Sequence, residues 1–166
     1  LNRHDDFDEG SETNPTRGGA PPRLKTVLFL CTGNYYRSRF AEAVFNTLAR
    51  RGRLAWRAES RGLAIELGVQ NVGPISAHTL ERLAALGIPA GDYLRSPLQA
   101  SETDLRSADL VVALKEAEHR PLLRERFPAW PDRVEYWHVH DLDCAGPGDA
   151  LPGLERLVHD LAARLR

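Results

Sequence analysis

Cys31 and Arg37 enclose five residues, Thr32-Gly33-Asn34-Tyr35-Tyr36, and Ser38 follows at the start of a helical pattern. A thiol and a guanidinium at this spacing suit phosphoryl chemistry. The sulfur supplies a nucleophile, and the guanidinium offers a planar fork to two phosphate oxygens. A five-residue loop between a strand and a helix can curl until its amide N–H groups converge, adding to the positive end of the helix dipole. In that field Cys31 is expected to ionise readily, since helix N-termini and nearby cations bring thiol pKa values to about 3.5–7.5. Gly33 is read as supplying a positive φ or a close backbone approach, and Asn34 as a residue that tolerates left-handed geometry. The spacing alone is weak evidence, because Arg fills 20 of the 166 positions and short motifs recur by chance. The bland reading makes Cys31 a small buried hydrophobe. Loop composition and the helix behind it favour the reactive one.

Two further clusters could carry chemistry. Asp141 and Asp143 lie in a polar loop where a carboxyl group could donate and accept a proton, or simply be solvated. His138 and His140 share one face of an extended segment, so with the two acids they sketch a metallohydrolase. Their spacing fails H-x-H-x-D-H, and surface or packing histidines are the better explanation.

The elements that must position Cys31 and Arg37 follow from periodicity. Thr26–Leu30 is a continuous apolar run, as expected of a strand buried on both faces. Arg37–Arg51 is an amphipathic helix through Phe40, Val44 and Leu48, with Gly52 as its stop. A strand is predicted at Ala55–Ser60, then a helix from Ser76 to Gly87 with Pro89 beyond it. Ser101 caps a short helix, Asp109–Leu114 is a third strand, and Glu116–Phe127 reads as a helix broken around Pro121. A fourth strand fits Val134–Val139, and Leu154, Leu157, Val158, Leu161 and Leu165 line one face of a last helix. Such alternation predicts an α/β fold, a parallel sheet covered on both faces whose ligands gather at the carboxyl ends of the strands.

A chain of this length fits one domain, 24–166, behind an N-terminal tail, 1–23, that is rich in Asp, Gly, Asn, Thr and Pro and is read as disordered. The net charge of -1 hides 23 acids against a nearly all-arginine basic set, whose densest run, Arg50-Arg51-Gly52-Arg53, reads as the solvated end of a helix. A nucleic-acid partner is therefore not expected. Two cysteines are too few for a disulfide scaffold or a zinc knuckle. No signal peptide is read in the tail, and no apolar run approaches the roughly 20 residues that span a bilayer. No membrane partner and a cytoplasmic location are the expectations.

The stretch VLFLCTGNYYRSRFAEAVF resembles the active-site signature of the low-molecular-weight protein tyrosine phosphatases. Trp56-Arg57-Ala58-Glu59-Ser60, Gly87-Ile88-Pro89, Ala108 through Val112 and Trp137 through Asp141 look like later landmarks in the family's order, so nearly everything after residue 23 is covered. The resemblance implies a single three-layer domain with a four-stranded parallel sheet and a phosphate-binding loop between the first strand and first helix. It also implies a phosphocysteine intermediate on Cys31, with no metal or other cofactor. Thr32, Gly33, Asn34, Tyr35, Tyr36, Arg37 and Ser38 would bind the phosphoryl group of a phosphorylated protein, a small aryl phosphate or a like anion. Ser38 would hydrogen-bond the leaving thiolate, Asn34 and Ser60 would brace the loop, and Asp141 would be the general acid, with Asp143 in reserve.

The chain departs from the family pattern at several places. Tyr36 stands where the family often has a second, protective cysteine. Cys144 could take that part only if it lies close to Cys31. Tyr35 replaces a smaller residue that helps choose between phosphotyrosine and phosphoarginine. The family's aromatic residues after Asp-Pro are absent, and Asp92 occupies a place where some members carry a bracing His. Rivals on the same fold are a protein-arginine phosphatase, an arsenate reductase drawing on an external thiol, and a pseudophosphatase that binds phosphate without turnover. A thioredoxin-coupled reductase would need two more cysteines around Leu114–Pro121.

Overall fold

The computed structural model describes residues 19–140 and 147–166. Four strands, β1 (Lys25–Cys31), β2 (Trp56–Gly62), β3 (Leu110–Ala113) and β4 (Glu135–Tyr136), form one parallel sheet in the order β2-β1-β3-β4. Helices α1 (Arg37–Gly52), α2 (Ala77–Ala85), α3 (Glu102–Ser107), α4 (Glu116–Arg126) and α5 (Pro147–Arg164) connect and cover it. Residues 1–18 of the expected tail, 1–23, lie outside the described residues, as do Asp141, Asp143 and Cys144.

The apolar run of β1 works as expected of a central strand, each face serving a different half of the core. Val27, Phe29 and Cys31 point into a cluster with Phe40, Val44 and Phe45 of α1 and Leu154, Val158 and Leu161 of α5. Leu28 and Leu30 point the other way, onto Leu105, Val111, Leu123 and Trp130. Phe29 anchors the first cluster, its ring 6.1 Å from Phe45 and 5.8 Å from Trp137 between centroids. The carboxyl end of β1 opens directly into the Cys31 loop.

Several boundaries differ from the sequence expectation. The helix over Glu116–Arg126 is unbroken with Pro121 inside it. The proline deprives only the Ala117 carbonyl of a partner, and Ala117 is exposed to water. At the end of α1 the left-handed residue is Arg53 (φ 51°) rather than Gly52, which is still helical. The fourth strand is regular only over Glu135–Tyr136, although Trp137 and Val139 still donate to Ala113 and Leu114 carbonyls at 2.8 and 2.7 Å. Helix α5 starts seven residues before Leu154, at Pro147. Ser101 caps α3 as expected, in a reciprocal box with Asp104.

Candidate active site

The Cys31 loop turns its carbonyls outward. Those of Cys31, Thr32 and Tyr35 accept from the backbone N–H of Leu63 (2.9 Å), Ala64 (2.9 Å) and Ser76 (3.0 Å). The Asn34 carbonyl accepts from Arg39 at 3.1 Å, and the Tyr36 carbonyl from Phe40 N and the Thr79 hydroxyl. In a trans peptide the next residue's N–H points opposite to each carbonyl. The amides of Thr32, Gly33, Tyr35, Tyr36 and Arg37 are thereby turned away from the scaffold. A cavity of about 400 Å³ opens on that side, lined by Cys31, Thr32, Gly33, Tyr35, Tyr36 and Arg37 and walled opposite by Leu67, Gly68, Gln70 and Asn71. Convergent amides beside a guanidinium make an anion cradle.

Asn34 fixes this curl. It is fully buried and left-handed, at φ 49°. Its amide donates to Ser38 Oγ and Ser60 Oγ, each at 2.9 Å, and its Oδ1 accepts from Arg95 Nη1 (2.9 Å) and Leu98 N (3.0 Å). Every polar valence of the side chain is thus filled. Because Ser38 Oγ already accepts from Asn34, its proton is available to Cys31 Sγ, 2.9 Å away. Ser60 in turn donates to Glu42 Oε2 at 2.6 Å. Burial pushes the Glu42 carboxyl above its usual range, against the pull of Ser60 and Arg95.

Arg37 is 1% exposed and faces the cavity beside the sulfur. Its Nη1 donates to the Val139 carbonyl at 3.0 Å and to Glu118 Oε2 at 3.2 Å, and its Nη2 donates to Glu118 Oε1 at 2.8 Å. The Thr32 hydroxyl donates to the same Oε1. Burial works to raise the Glu118 pKa, but hydrogen bonds from His119, Arg37 and Thr32 together with the Arg37 charge hold it well below the usual 4.5. Glu118 sits in the first turn of α4, at the end of the strand beside β1.

Of the residues read from sequence, Cys31 through Ser38 and Ser60 come together here. The two tyrosines divide their tasks: Tyr36 is buried in the core, while Tyr35 is half-buried and donates its hydroxyl to the Val72 carbonyl at 2.6 Å. Gly33 does not have a positive φ, and a Cβ there would meet nothing nearer than 3.7 Å, so the left-handed duty falls on Asn34 alone. Asp92 is exposed, and the bracing contact to Asn34 comes instead from Arg95. His138 and His140 are exposed on either side of buried Val139, and among the described residues no three His, Cys, Asp or Glu side chains gather as a metal site.

Sequence reasoning missed Arg39, Glu42, Arg95, Glu118 and Gly62. Arg39 is fully buried, donating to the carbonyls of Asn34, Pro74, Tyr93 and Arg95. Burial, followed by repulsion from Arg95, pulls its pKa down to about 10, which still leaves it charged at neutral pH. Gly62 ends β2 against the loop, where a Cβ would lie 2.6 Å from Ile65 Cγ2, 2.8 Å from the Thr32 carbonyl oxygen and 3.0 Å from Asn34 N. Gly62→Ala must therefore displace loop backbone. It is expected to lower kcat/KM roughly 10- to 100-fold and stability by about 1–3 kcal/mol. Steady-state kinetics and urea melts check both, and unchanged kinetics would show that the loop does not depend on this contact.

Residues 26–144 match the family model described as low molecular weight phosphotyrosine protein phosphatase. A protein-arginine-phosphatase of Bacillus subtilis is 33% identical over 108 residues, which span 65% of this chain and 67% of that protein. Among solved structures, a low molecular weight protein tyrosine phosphatase from T. tengcongensis superposes with a TM-score of 0.70 at 27% identity, covering 85% of this chain and 99% of that one. A C-to-S mutant of the YwlE arginine phosphatase with a phosphorylated active-site serine gives a TM-score of 0.69 at 25% identity, over 84% of this chain and 95% of that one.

Proposed function

The chain belongs to the low molecular weight phosphotyrosine protein phosphatase family, and from that premise we propose a mechanism in which Cys31 hydrolyses phosphomonoesters, phosphotyrosine in proteins foremost. The observation that carries it is the outward set of loop carbonyls, which leaves amides and Arg37 around one sulfur. The Cys31 sulfur attacks phosphorus as the bond to the leaving oxygen breaks, and Asp141 supplies that oxygen with a proton. Water then attacks the phosphocysteine and gives a proton back to Asp141. The P–S bond breaks, and the departing thiolate accepts the Ser38 hydrogen bond. Arg37 and the loop amides hold the equatorial oxygens through both steps. This chemistry calls for no metal, and it works with a reduced thiol, as a cytoplasmic setting would supply.

A second reading is protein-arginine phosphatase, which the Bacillus subtilis relative favours. Tyr35 lines the cavity and is tied by its hydroxyl to the Val72 carbonyl, so its ring is held where a substrate's aromatic or guanidinium group would meet it. Hydrolysis of phosphotyrosine, phosphoarginine and phosphoserine peptides by wild type and Asp141→Asn separates the readings. Phosphotyrosine turnover, lowered about 10²- to 10³-fold by the asparagine because leaving-group protonation is lost, is expected. Exclusive phosphoarginine turnover would shift the assignment. Binding of all three without turnover would make the protein a pseudophosphatase.

A further inference from the structure

Glu118 stands at the junction of the Cys31 loop and α4 in a position that the hydrolytic scheme does not use. One carboxylate oxygen accepts from Arg37 Nη2 and the Thr32 hydroxyl, with His119 Nε2 at 3.5 Å; the other accepts from Arg37 Nη1. His119 Nδ1 accepts from Lys115 N at 3.0 Å, which puts the ring proton on Nε2, facing the carboxylate. The loop is thus tied to α4 at both ends, just after the sulfur and at the phosphate clamp. Two roles are open to such a carboxylate. It could compete with an incoming phosphate for Arg37, or it could hold the guanidinium from behind. Glu118 is not among the residues lining the sulfur cavity, whereas Arg37 and Thr32 both are.

We propose that Glu118 is a positioning residue that grips the rear edge of Arg37 and the Thr32 hydroxyl, fixing the clamp for phosphate binding. This rests on the phosphatase reading of the same site. The grip is bidentate, so it sets the plane of the guanidinium and not only its distance. The Val139 carbonyl adds a third point from the segment after β4. Glu118 stays ionised because its donors outweigh its burial, and the first turn of α4 favours its charge.

The two roles predict opposite signs. Removing a negative charge near an anion site strengthens phosphate binding if only Coulomb attraction changes. In Glu118→Gln, however, the new amide turns an N–H₂ toward donors from Arg37 or Thr32, so the clamp is pushed out of place. Calorimetric titration of inorganic phosphate into the full chain reads this without relying on turnover. Wild type, Glu118→Gln, Arg37→Lys and the double variant complete the cycle, with thermal melts confirming that each is folded. The glutamine is expected to weaken phosphate about tenfold in the wild-type background and less than about twofold in the Arg37→Lys background, because the two residues act as one unit. Tighter or unchanged phosphate binding in folded Glu118→Gln would overturn the proposal, as would an equal loss in both backgrounds. A wild-type protein that binds no phosphate would overturn the phosphatase reading itself.

Discussion

Cys31→Ser is expected to remove turnover, lowering kcat by on the order of 10⁴-fold or more, while inorganic phosphate still binds within a few fold of wild type. The expectation follows from where the sulfur sits. Cys31 belongs to the Phe29–Phe40–Val44 cluster and also lines the cavity, with its Sγ 2.9 Å from Ser38 Oγ. Serine is smaller and fits the same place, so the outward carbonyls and the Asn34 brace survive the change. What disappears is a polarisable nucleophile able to leave again as a stable anion. A 10⁴-fold loss corresponds to about 5.5 kcal/mol of transition-state stabilisation, more than one lost hydrogen bond explains. Single-turnover kinetics with an aryl phosphate, alongside phosphate titration, measures both halves. A serine variant retaining a tenth of wild-type activity would rule out a covalent cysteine mechanism.

The parts of this site that were legible in the sequence are the local ones. TVLFL, the loop and the helix behind it are contiguous, so a strand ending at Leu30, just before Cys31, and a helix opening at Arg37 follow from periodicity and turn chemistry alone, the observed strand running one residue further at each end. Ser60 could be named only through the family resemblance, since it reaches Asn34 by the register of β1 on β2, where Phe29 pairs with Ser60. Arg95 and Glu118 escaped because nothing local marks them. One lies in an irregular segment after α2, and the other resembles any acid in a helix's first turn. A signal did exist at Arg39. Helix α1 begins with two arginines and no acid in its first turn, where the dipole disfavours cations, and both are fully or almost fully buried. A local rule broken twice at one helix start marks a place where function or a buried network overrides propensity.

That same conflict makes Arg37 the second position where a single change should be decisive. Arg37→Lys keeps the charge yet is expected to lower kcat/KM about 10³-fold, because an ammonium cannot reproduce a planar fork that serves several partners at once. Arg37 already donates to both Glu118 oxygens and to the Val139 carbonyl, and it lines the same cavity as Cys31. A lysine reaching Glu118 satisfies the rear of the site and forfeits the front; one reaching phosphate leaves the Glu118 carboxylate short of its main donor in a half-buried place. Either way the transition state loses paired contacts that strengthen as charge spreads over the equatorial oxygens. The loss should appear in kcat more than in KM, since ground-state attraction to a cation persists. Steady-state kinetics on an aryl phosphate, with vanadate as a probe of transition-state-like binding, distinguishes these terms. Vanadate affinity falling by much more than phosphate affinity is the expected pattern. A lysine variant within tenfold of wild type would mean that Arg37 acts as a point charge, and the two-edged geometry around it would lose its catalytic meaning.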